Sequence, residues 1–239
     1  MDELLKADFS RRMDGGTGRP LLGVTLLMIE DSRYFSDAIR LMAIRSGARL
    51  RRADSITAAR KHIKIYKPDV ILLDIGLPDG SGLDIMQEFD DHIHDVPVIA
   101  MSGEDTMREQ ALALGAKKFM MKPFFDLAQF QQAILSVLPK ELAPKVFRPV
   151  VVGQTIEPDL ASLTDDLLQI RQILFETIES LDARRAGYCA QFLSSVAQTA
   201  GDKRLCEEAN QLSGKLSDKG DWVATCKTIV EKIETRLHA

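Results

Sequence analysis

Short apolar runs alternate with segments of helical period between residues 21 and 138. Five runs have the length and content of strands, and they cover residues 22–29, 50–53, 70–73, 96–101 and 118–121. Between the first two, Phe35, Ala38, Ile39 and Met42 repeat at i, i+3, i+4 and i+7, and Gly47 stands where a C-terminal cap belongs. The third and fourth runs are uninterrupted, as in parallel strands covered on both faces. The pattern predicts an α/β domain with a doubly wound, five-stranded parallel sheet.

The pattern changes twice after residue 138. Four of the nine prolines lie between Pro139 and Pro158, which predicts a linker over residues 140–158. The rest of the chain has helical period only, with an aspartate before each of four apolar stripes as a candidate N-cap: Asp159, Asp182, Asp202 and Asp221. We therefore expect a separate all-α four-helix bundle over residues 159–239. Residues 1–20 are polar and predict a disordered arm before an α/β domain at 21–139.

Length, charge and hydropathy indicate which classes of protein the chain can belong to. The chain has 239 residues, enough for two domains, and a net charge of −4, which does not favour nucleic acid or an anionic membrane as a partner. No stretch reaches the roughly 18 apolar residues of a membrane span. We expect a cytoplasmic protein.

Carboxylates follow two of the predicted strands. Glu30 and Asp31 end the first strand and Asp74 ends the third, and these strands are neighbours in a doubly wound sheet. At ~4 Å and an effective dielectric constant of ~20, each pair of carboxylates would repel by about 4 kcal/mol. A hard divalent cation relieves such repulsion, and Mg²⁺ suits a few carboxylates plus water. The sequence predicts a magnesium site at this edge.

Two further polar groups are predicted at the same edge. Ser102 ends the fourth strand and Lys122 ends the fifth. Alone, a capping serine or a solvated lysine is the commoner interpretation of each. With three carboxylates, they indicate one pocket that holds an anion and a metal together.

These motifs resemble the receiver domain of bacterial-type two-component response regulators over roughly residues 22–138. The resemblance rests on the Glu-Asp pair, the apolar run into Asp74, the loop Leu77-Pro78-Asp79-Gly80, Met101-Ser102-Gly103 and Lys122-Pro123-Phe124. It implies a flavodoxin-like fold and a cis Lys122–Pro123 bond. It implies Asp74 as the phosphoacceptor, and Mg²⁺ held by Glu30, Asp31, Asp74 and the backbone carbonyl of Gly76.

The resemblance also implies a donor and a switch. Ser102 and Lys122 would hold the phosphoryl oxygens, and the phosphoryl group would come from phosphohistidine on a sensor histidine kinase or a phosphotransfer protein. Such a chain catalyses only its own phosphorylation and dephosphorylation, so we do not class it as an enzyme. Phe119 matches an aromatic that turns inward when the Ser102 hydroxyl moves to the phosphoryl group, although plain sheet packing explains a phenylalanine equally well.

The second half resembles a histidine phosphotransfer domain weakly, over about 50 residues around 191–201. That family carries a histidine followed by Leu-Lys-Gly, whereas this chain has Gln191 and then Leu193-Ser194-Ser195. The bundle therefore lacks the imidazole that accepts phosphate. Its charge is also acidic, with ten Lys and Arg against thirteen Asp and Glu from residue 159 onward, which argues against duplex DNA binding.

Three roles stay open for the bundle. We favour a docking domain that binds a downstream protein or a second copy of the chain. The alternatives are a transcriptional regulator with an atypical helical output, and a phosphatase acting on another regulator. The phosphatase would need an acid–amide pair, for which Glu207-Glu208 with Asn210-Gln211 is the local candidate.

Overall fold

A computed structural model of the chain describes residues 19–88, 95–139, 153–218 and 220–238. Its main sheet is parallel, with strand order β2-β1-β3-β6-β7, as a doubly wound fold requires. The strands of this sheet are β1 (Thr25–Ile29), β2 (Arg49–Ala53), β3 (Val70–Asp74), β6 (Val98–Ser102) and β7 (Lys118–Met121). The predicted α/β domain with five parallel strands is confirmed.

Two strands begin later than the apolar runs predict. Leu22 lies in a turn, in which Val24 N–H donates to the carbonyl of Leu21. Val24 precedes β1 but is buried in the core, which explains the apolar character that resembled a strand. Val96 precedes Pro97, which has no N–H for the ladder, and β6 begins after it.

Among the described residues, five α-helices flank the sheet, and a two-stranded hairpin follows β3. The hairpin consists of β4 (Gly76–Leu77) and β5 (Gly80–Ser81). The helices are α1 (Arg33–Ser46), α2 (Ile56–Ile63), α3 (Gly82–Gln87), α4 (Arg108–Ala113) and α5 (Leu127–Leu135). Gly47 ends α1 at φ +86°, in the left-handed region, and so is the predicted cap. One hydrophobic core lies on each face of the sheet.

The described part of the second half contains four helices: α6 (Leu160–Ser180), α7 (Ala183–Ala200), α8 (Lys203–Ser217) and α9 (Trp222–Leu237). Each begins after one of the four predicted aspartate caps, whose side chain accepts a backbone N–H of the first turn. The helices share one hydrophobic core. The helical second half is confirmed.

The last residues of the predicted linker pack on the α/β domain. Leu127 N–H donates to the carbonyl of Gln154 at 3.0 Å, and Ile156 N–H donates to that of Phe125 at 2.9 Å. The Ile156 side chain is buried in the core between the sheet, α1 and α5. Residues 154–156 therefore extend the α/β domain beyond the predicted boundary at 139. Residues 140–152 and most of the predicted arm lie outside the described residues.

Among the described helices, none is long and apolar enough to cross a membrane.

Candidate functional site

Three carboxylates meet at the carboxyl edge of the sheet. Glu30 and Asp31 follow β1 and Asp74 ends β3, and all three side chains are buried. One oxygen from each lies within 4.8 Å of the others, close enough for a single cation to bind all three. Arg52 of β2 holds the backbone here, because its guanidinium donates to the carbonyls of Glu30 at 3.1 Å and Asp31 at 2.7 Å.

Lys122 supplies positive charge from the end of β7. Its ammonium lies 2.6 Å from Glu30 Oε2 and 2.9 Å from Asp74 Oδ1, and it is as buried as they are. The Lys122–Pro123 peptide bond is cis, as the resemblance implies. One ammonium against three buried carboxylates leaves two excess negative charges when all are ionised. This excess negative charge and the oxygen atoms of the three carboxylates together fit Mg²⁺ as a ligand.

Burial and mutual repulsion raise the pKa values of the carboxyl groups in this cluster. The pKa of Asp31 is raised to about 7, mainly because burial removes it from water and also because Asp74 lies beside it. Burial likewise raises the pKa of Glu30 well above its ordinary value, although Lys122 partly opposes this. Burial alone would lower the pKa of Lys122, but the charges of Asp74 and Glu30 raise it, so the ammonium stays charged.

The structure also describes Ser102, Gly76 and Phe119, the other candidate residues from the sequence. Ser102 ends β6 and is buried, and its hydroxyl accepts Glu104 N–H at 3.1 Å. Gly76 lines the same pocket. Phe119 of β7 is buried in a core on one face of the sheet, with the Arg108 guanidinium 4.7 Å from the ring centroid.

The helical bundle covers this pocket. Helix α7 contributes the roof, which consists of Gln191, Phe192, Ser194 and Ser195. One turn earlier, the Tyr188 hydroxyl donates to Asp31 Oδ2 at 2.7 Å. Gln191 stands where histidine phosphotransfer domains carry their histidine. It lies at the mouth of the acidic pocket of its own chain.

Asp166 of α6 anchors the bundle at the start of α1. Its carboxylate is fully buried and accepts Ser32 Oγ at 2.8 Å, Arg33 N–H at 2.9 Å and Tyr34 N–H at 3.1 Å. The N-terminus of a helix attracts an anion through its free N–H groups and its dipole. Asp166 therefore caps α1 from the other domain, directly after the Glu30–Asp31 pair.

Sequence reasoning missed Asp166 and Tyr188. Each lies on a helix that needs polar residues for its solvated side, and nothing in the local pattern distinguishes them from such residues. Only the packing of α6 and α7 on the α/β domain reveals their partners.

The acid–amide pair predicted on α8 does not lie at the pocket. Glu208 is buried and forms an ion pair with Lys232 of α9. Asn210 contacts Cys206 and Ser194, within the bundle. Of the amide side chains in the described part of the bundle, it is Gln191 that lines the pocket.

Comparison with known proteins identifies the first half. Residues 26–135 match the family model of the response regulator receiver domain. The Staphylococcus aureus transcriptional regulatory protein KdpE is 40% identical over 101 residues, 41% of this chain and 43% of the relative. The Escherichia coli KDP operon transcriptional regulatory protein KdpE is 29% identical over 57% of this chain and 61% of the relative.

A solved structure, the receiver domain of NtrX from Brucella abortus, is 24% identical, with a TM-score of 0.45, and covers 47% of this chain and 97% of that one. The chain spans less than two thirds of the length of the two curated relatives. Their similarity, the family match and the five-stranded fold agree on the same segment. Residues 26–135 are therefore a receiver domain of the two-component response regulator family.

Proposed function

We propose that this chain is a response regulator that accepts a phosphoryl group on Asp74 with Mg²⁺ as cofactor. The observation that carries the proposal is the buried cluster of Glu30, Asp31 and Asp74 around the Lys122 ammonium. Receiver domains of this family are phosphorylated with Mg²⁺ at such an acidic site. The donor is phosphohistidine on a sensor histidine kinase or a phosphotransfer protein.

Each residue has a separate part in this transfer. Phosphoryl transfer needs in-line positioning and neutralisation of the oxygen charge rather than covalent help. Asp74 is the nucleophile, Lys122 places a fixed positive charge beside it, and Ser102 turns its hydroxyl to a phosphoryl oxygen. Glu30, Asp31, Asp74 and the Gly76 carbonyl hold Mg²⁺, which when bound neutralises charge on the transferred group. Phe119 responds to the movement of Ser102.

We further propose that the bundle acts by binding and not by accepting phosphate. Gln191 has no nucleophilic nitrogen that could accept phosphate. It lies over the acidic pocket of the receiver, as a residue of a docking partner would. While α7 lies there, it occupies the approach that a donor imidazole needs, and the remaining cavity of about 20 Å³ is on the scale of one water molecule. The donor must therefore displace the bundle, which frees the bundle face for a downstream protein.

Labelling with a small phosphodonor tests the assignment. The full chain with Mg²⁺ and acetyl phosphate should gain one phosphoryl group, seen by intact mass, and lose it in alkali as an acyl phosphate does. Asp74→Asn should abolish the label, because the amide has no anionic oxygen to attack phosphorus. Asp84→Asn is the matched control, since Asp84 is an exposed carboxylate on α3. A label of wild-type size in Asp74→Asn would refute the assignment.

A further inference from the structure

The acidic pair Glu30–Asp31 lies just beyond the hydrogen-bonded strands of the sheet. β1 ends at Ile29, and Glu30 N–H donates at 2.9 Å to the carbonyl of Ala53, where β2 ends. Successive side chains of a strand point to opposite faces, whereas Glu30 and Asp31 bring carboxylate oxygens into one cluster with Asp74. The chain therefore has to leave strand geometry at these two buried residues, and their carbonyls need hydrogen-bond donors from outside the ladder.

Arg52, the residue before Ala53 on β2, supplies those donors. Its Nε donates to the carbonyl of Glu30 at 3.1 Å, and its Nη2 donates to that of Asp31 at 2.7 Å. A guanidinium is a rigid planar fork, so one side chain fixes the spacing and the direction of two successive peptide groups. Both peptide groups belong to residues whose carboxylates form the cation site. The contact therefore determines where these carboxylates lie relative to Asp74.

The bundle holds the next part of the same segment. The Ser32 hydroxyl and the N–H groups of Arg33 and Tyr34 donate to Asp166. Those hydrogen bonds depend on docking of the bundle. Arg52 and the acidic pair both belong to the receiver, so their contact persists when a donor displaces the bundle.

The positive charge of Arg52 has the opposite effect on a bound cation. Like charges repel, so if Arg52 acted through its charge alone, its removal would raise the affinity for Mg²⁺. If Arg52 acts by holding the carboxylates in place, its removal lowers that affinity. Residues that orient the direct metal ligands typically contribute about 10- to 100-fold. The two effects differ in sign, so a binding measurement separates them.

We propose that Arg52 is a positioning residue of the phosphorylation site, which holds Glu30 and Asp31 in the arrangement that binds Mg²⁺. The inference rests on the proposed function, because that function requires Mg²⁺ at the acidic cluster. The guanidinium contacts the backbone of the acidic pair and acts on the metal through that backbone.

Calorimetric titration of the full chain with Mg²⁺ tests the proposal. Arg52→Met keeps an unbranched side chain but has no hydrogen-bond donor, and its affinity for Mg²⁺ should fall about tenfold. Arg52→Lys keeps the positive charge but offers one nitrogen instead of a two-point fork, so its affinity should also fall. Arg51→Met is the matched control, because Arg51 is exposed on the same strand, with its guanidinium 4.9 Å from the Tyr66 ring centroid. Its affinity should change by less than about twofold.

A second readout comes from phosphorylation of Asp74 by acetyl phosphate. The Mg²⁺ concentration that gives half of the maximal labelling rate should rise in the Arg52 variants by the same factor as the dissociation constant for Mg²⁺. A merely structural role would lower the melting temperature of the metal-free protein and leave that concentration unchanged.

Each outcome decides one assignment. If wild-type Asp74 is labelled, an affinity for Mg²⁺ at or above the wild-type value in either Arg52 variant would overturn this inference alone. If wild-type Asp74 is not labelled in the presence of Mg²⁺, the proposed function is overturned, and the inference with it. If Arg52→Met does not unfold cooperatively, the affinity of Arg52→Lys decides by itself.

Discussion

Two buried aspartates, one in each domain, form hydrogen bonds across the domain interface, and their surroundings differ. Asp166 of the bundle is fully buried and accepts three hydrogen bonds, all from the first turn of α1 and its cap. Asp31 of the receiver is nearly as buried but receives one side-chain hydrogen bond across the interface, from Tyr188. Asp31 also has Asp74 and Glu30 as neighbours.

The difference separates a fixed contact from an exchangeable one. Backbone N–H groups of a helix terminus are fixed in place, so Asp166 keeps these partners as long as the bundle stays docked. Asp31 has one donor across the interface, the Tyr188 hydroxyl, and lies beside Asp74, so it would exchange or share that hydrogen bond when Mg²⁺ binds. We infer that the Asp166 hydrogen bonds hold the bundle on the receiver and that the Tyr188 hydrogen bond changes when Mg²⁺ binds.

Removal of the fixed contact should have the largest effect. Asp166→Ala leaves the Arg33 and Tyr34 N–H groups without their acceptor, and a hydrogen bond to a charged group contributes about 1.5–3 kcal/mol. Docking should weaken by about 3 kcal/mol or more in total. We expect faster hydrogen exchange on the α7 roof and faster phosphorylation by a phosphohistidine donor.

Asp165 provides the matched control for that experiment. Its carboxylate forms an ion pair with Arg33 at 2.8 Å, but both side chains are about half exposed. Exposed pairs contribute about 0–1 kcal/mol. Asp165→Ala should therefore leave donor phosphorylation almost unchanged, and equal effects of the two substitutions would contradict the role of Asp166.

The pH dependence of Mg²⁺ stabilisation should be next in size. Because the folded-state pKa of Asp31 is about 7, above that of an unfolded aspartate, the metal-free folded chain binds more protons than the unfolded chain between those pKa values. Its contribution to the free energy of unfolding therefore falls as pH rises towards 7. Mg²⁺ replaces the proton, so the rise in melting temperature on adding Mg²⁺ should be larger at pH 8 than at pH 5.5.

Asp31→Asn serves as the comparison for the pH experiment. The amide does not titrate, so the Mg²⁺-dependent rise should be small and should vary less with pH. An equal Mg²⁺ effect on the wild-type chain at both pH values would rule out a proton-linked metal site at Asp31.

Loss of the exchangeable contact should have the smallest effect. Tyr188→Phe removes the hydroxyl that binds Asp31 and keeps the ring, which packs near Phe192. One hydrogen bond contributes about 1 kcal/mol, so Mg²⁺ affinity should rise by about fivefold. Calorimetric titration measures this. In Asp166→Ala, where docking is weakened, the same change should have a smaller effect; an equal gain there would mean that Tyr188 acts outside the interface.

The pocket could be predicted from the sequence because the end of each strand can be located from the apolar run before it. Asp74, Ser102 and Lys122 each follow an apolar run, and parallel strands bring their ends to one edge. The bundle helices were predicted for a similar local reason, an aspartate cap before each stripe. The docking of the two domains was not predictable, because Asp166 and Tyr188 find partners more than 130 residues away in sequence.

The pairing of residues 154–156 with the receiver determines where the receiver can be joined to a different output domain. A recombination point at residue 139 would separate Ile156 from the core that buries it and would leave a hole the size of a large aliphatic side chain. Such a deletion in a core typically lowers the free energy of unfolding by about 2–5 kcal/mol. A chimaera joined after Glu157 keeps that side chain with its core, so the transferable module extends beyond the last helix of the receiver.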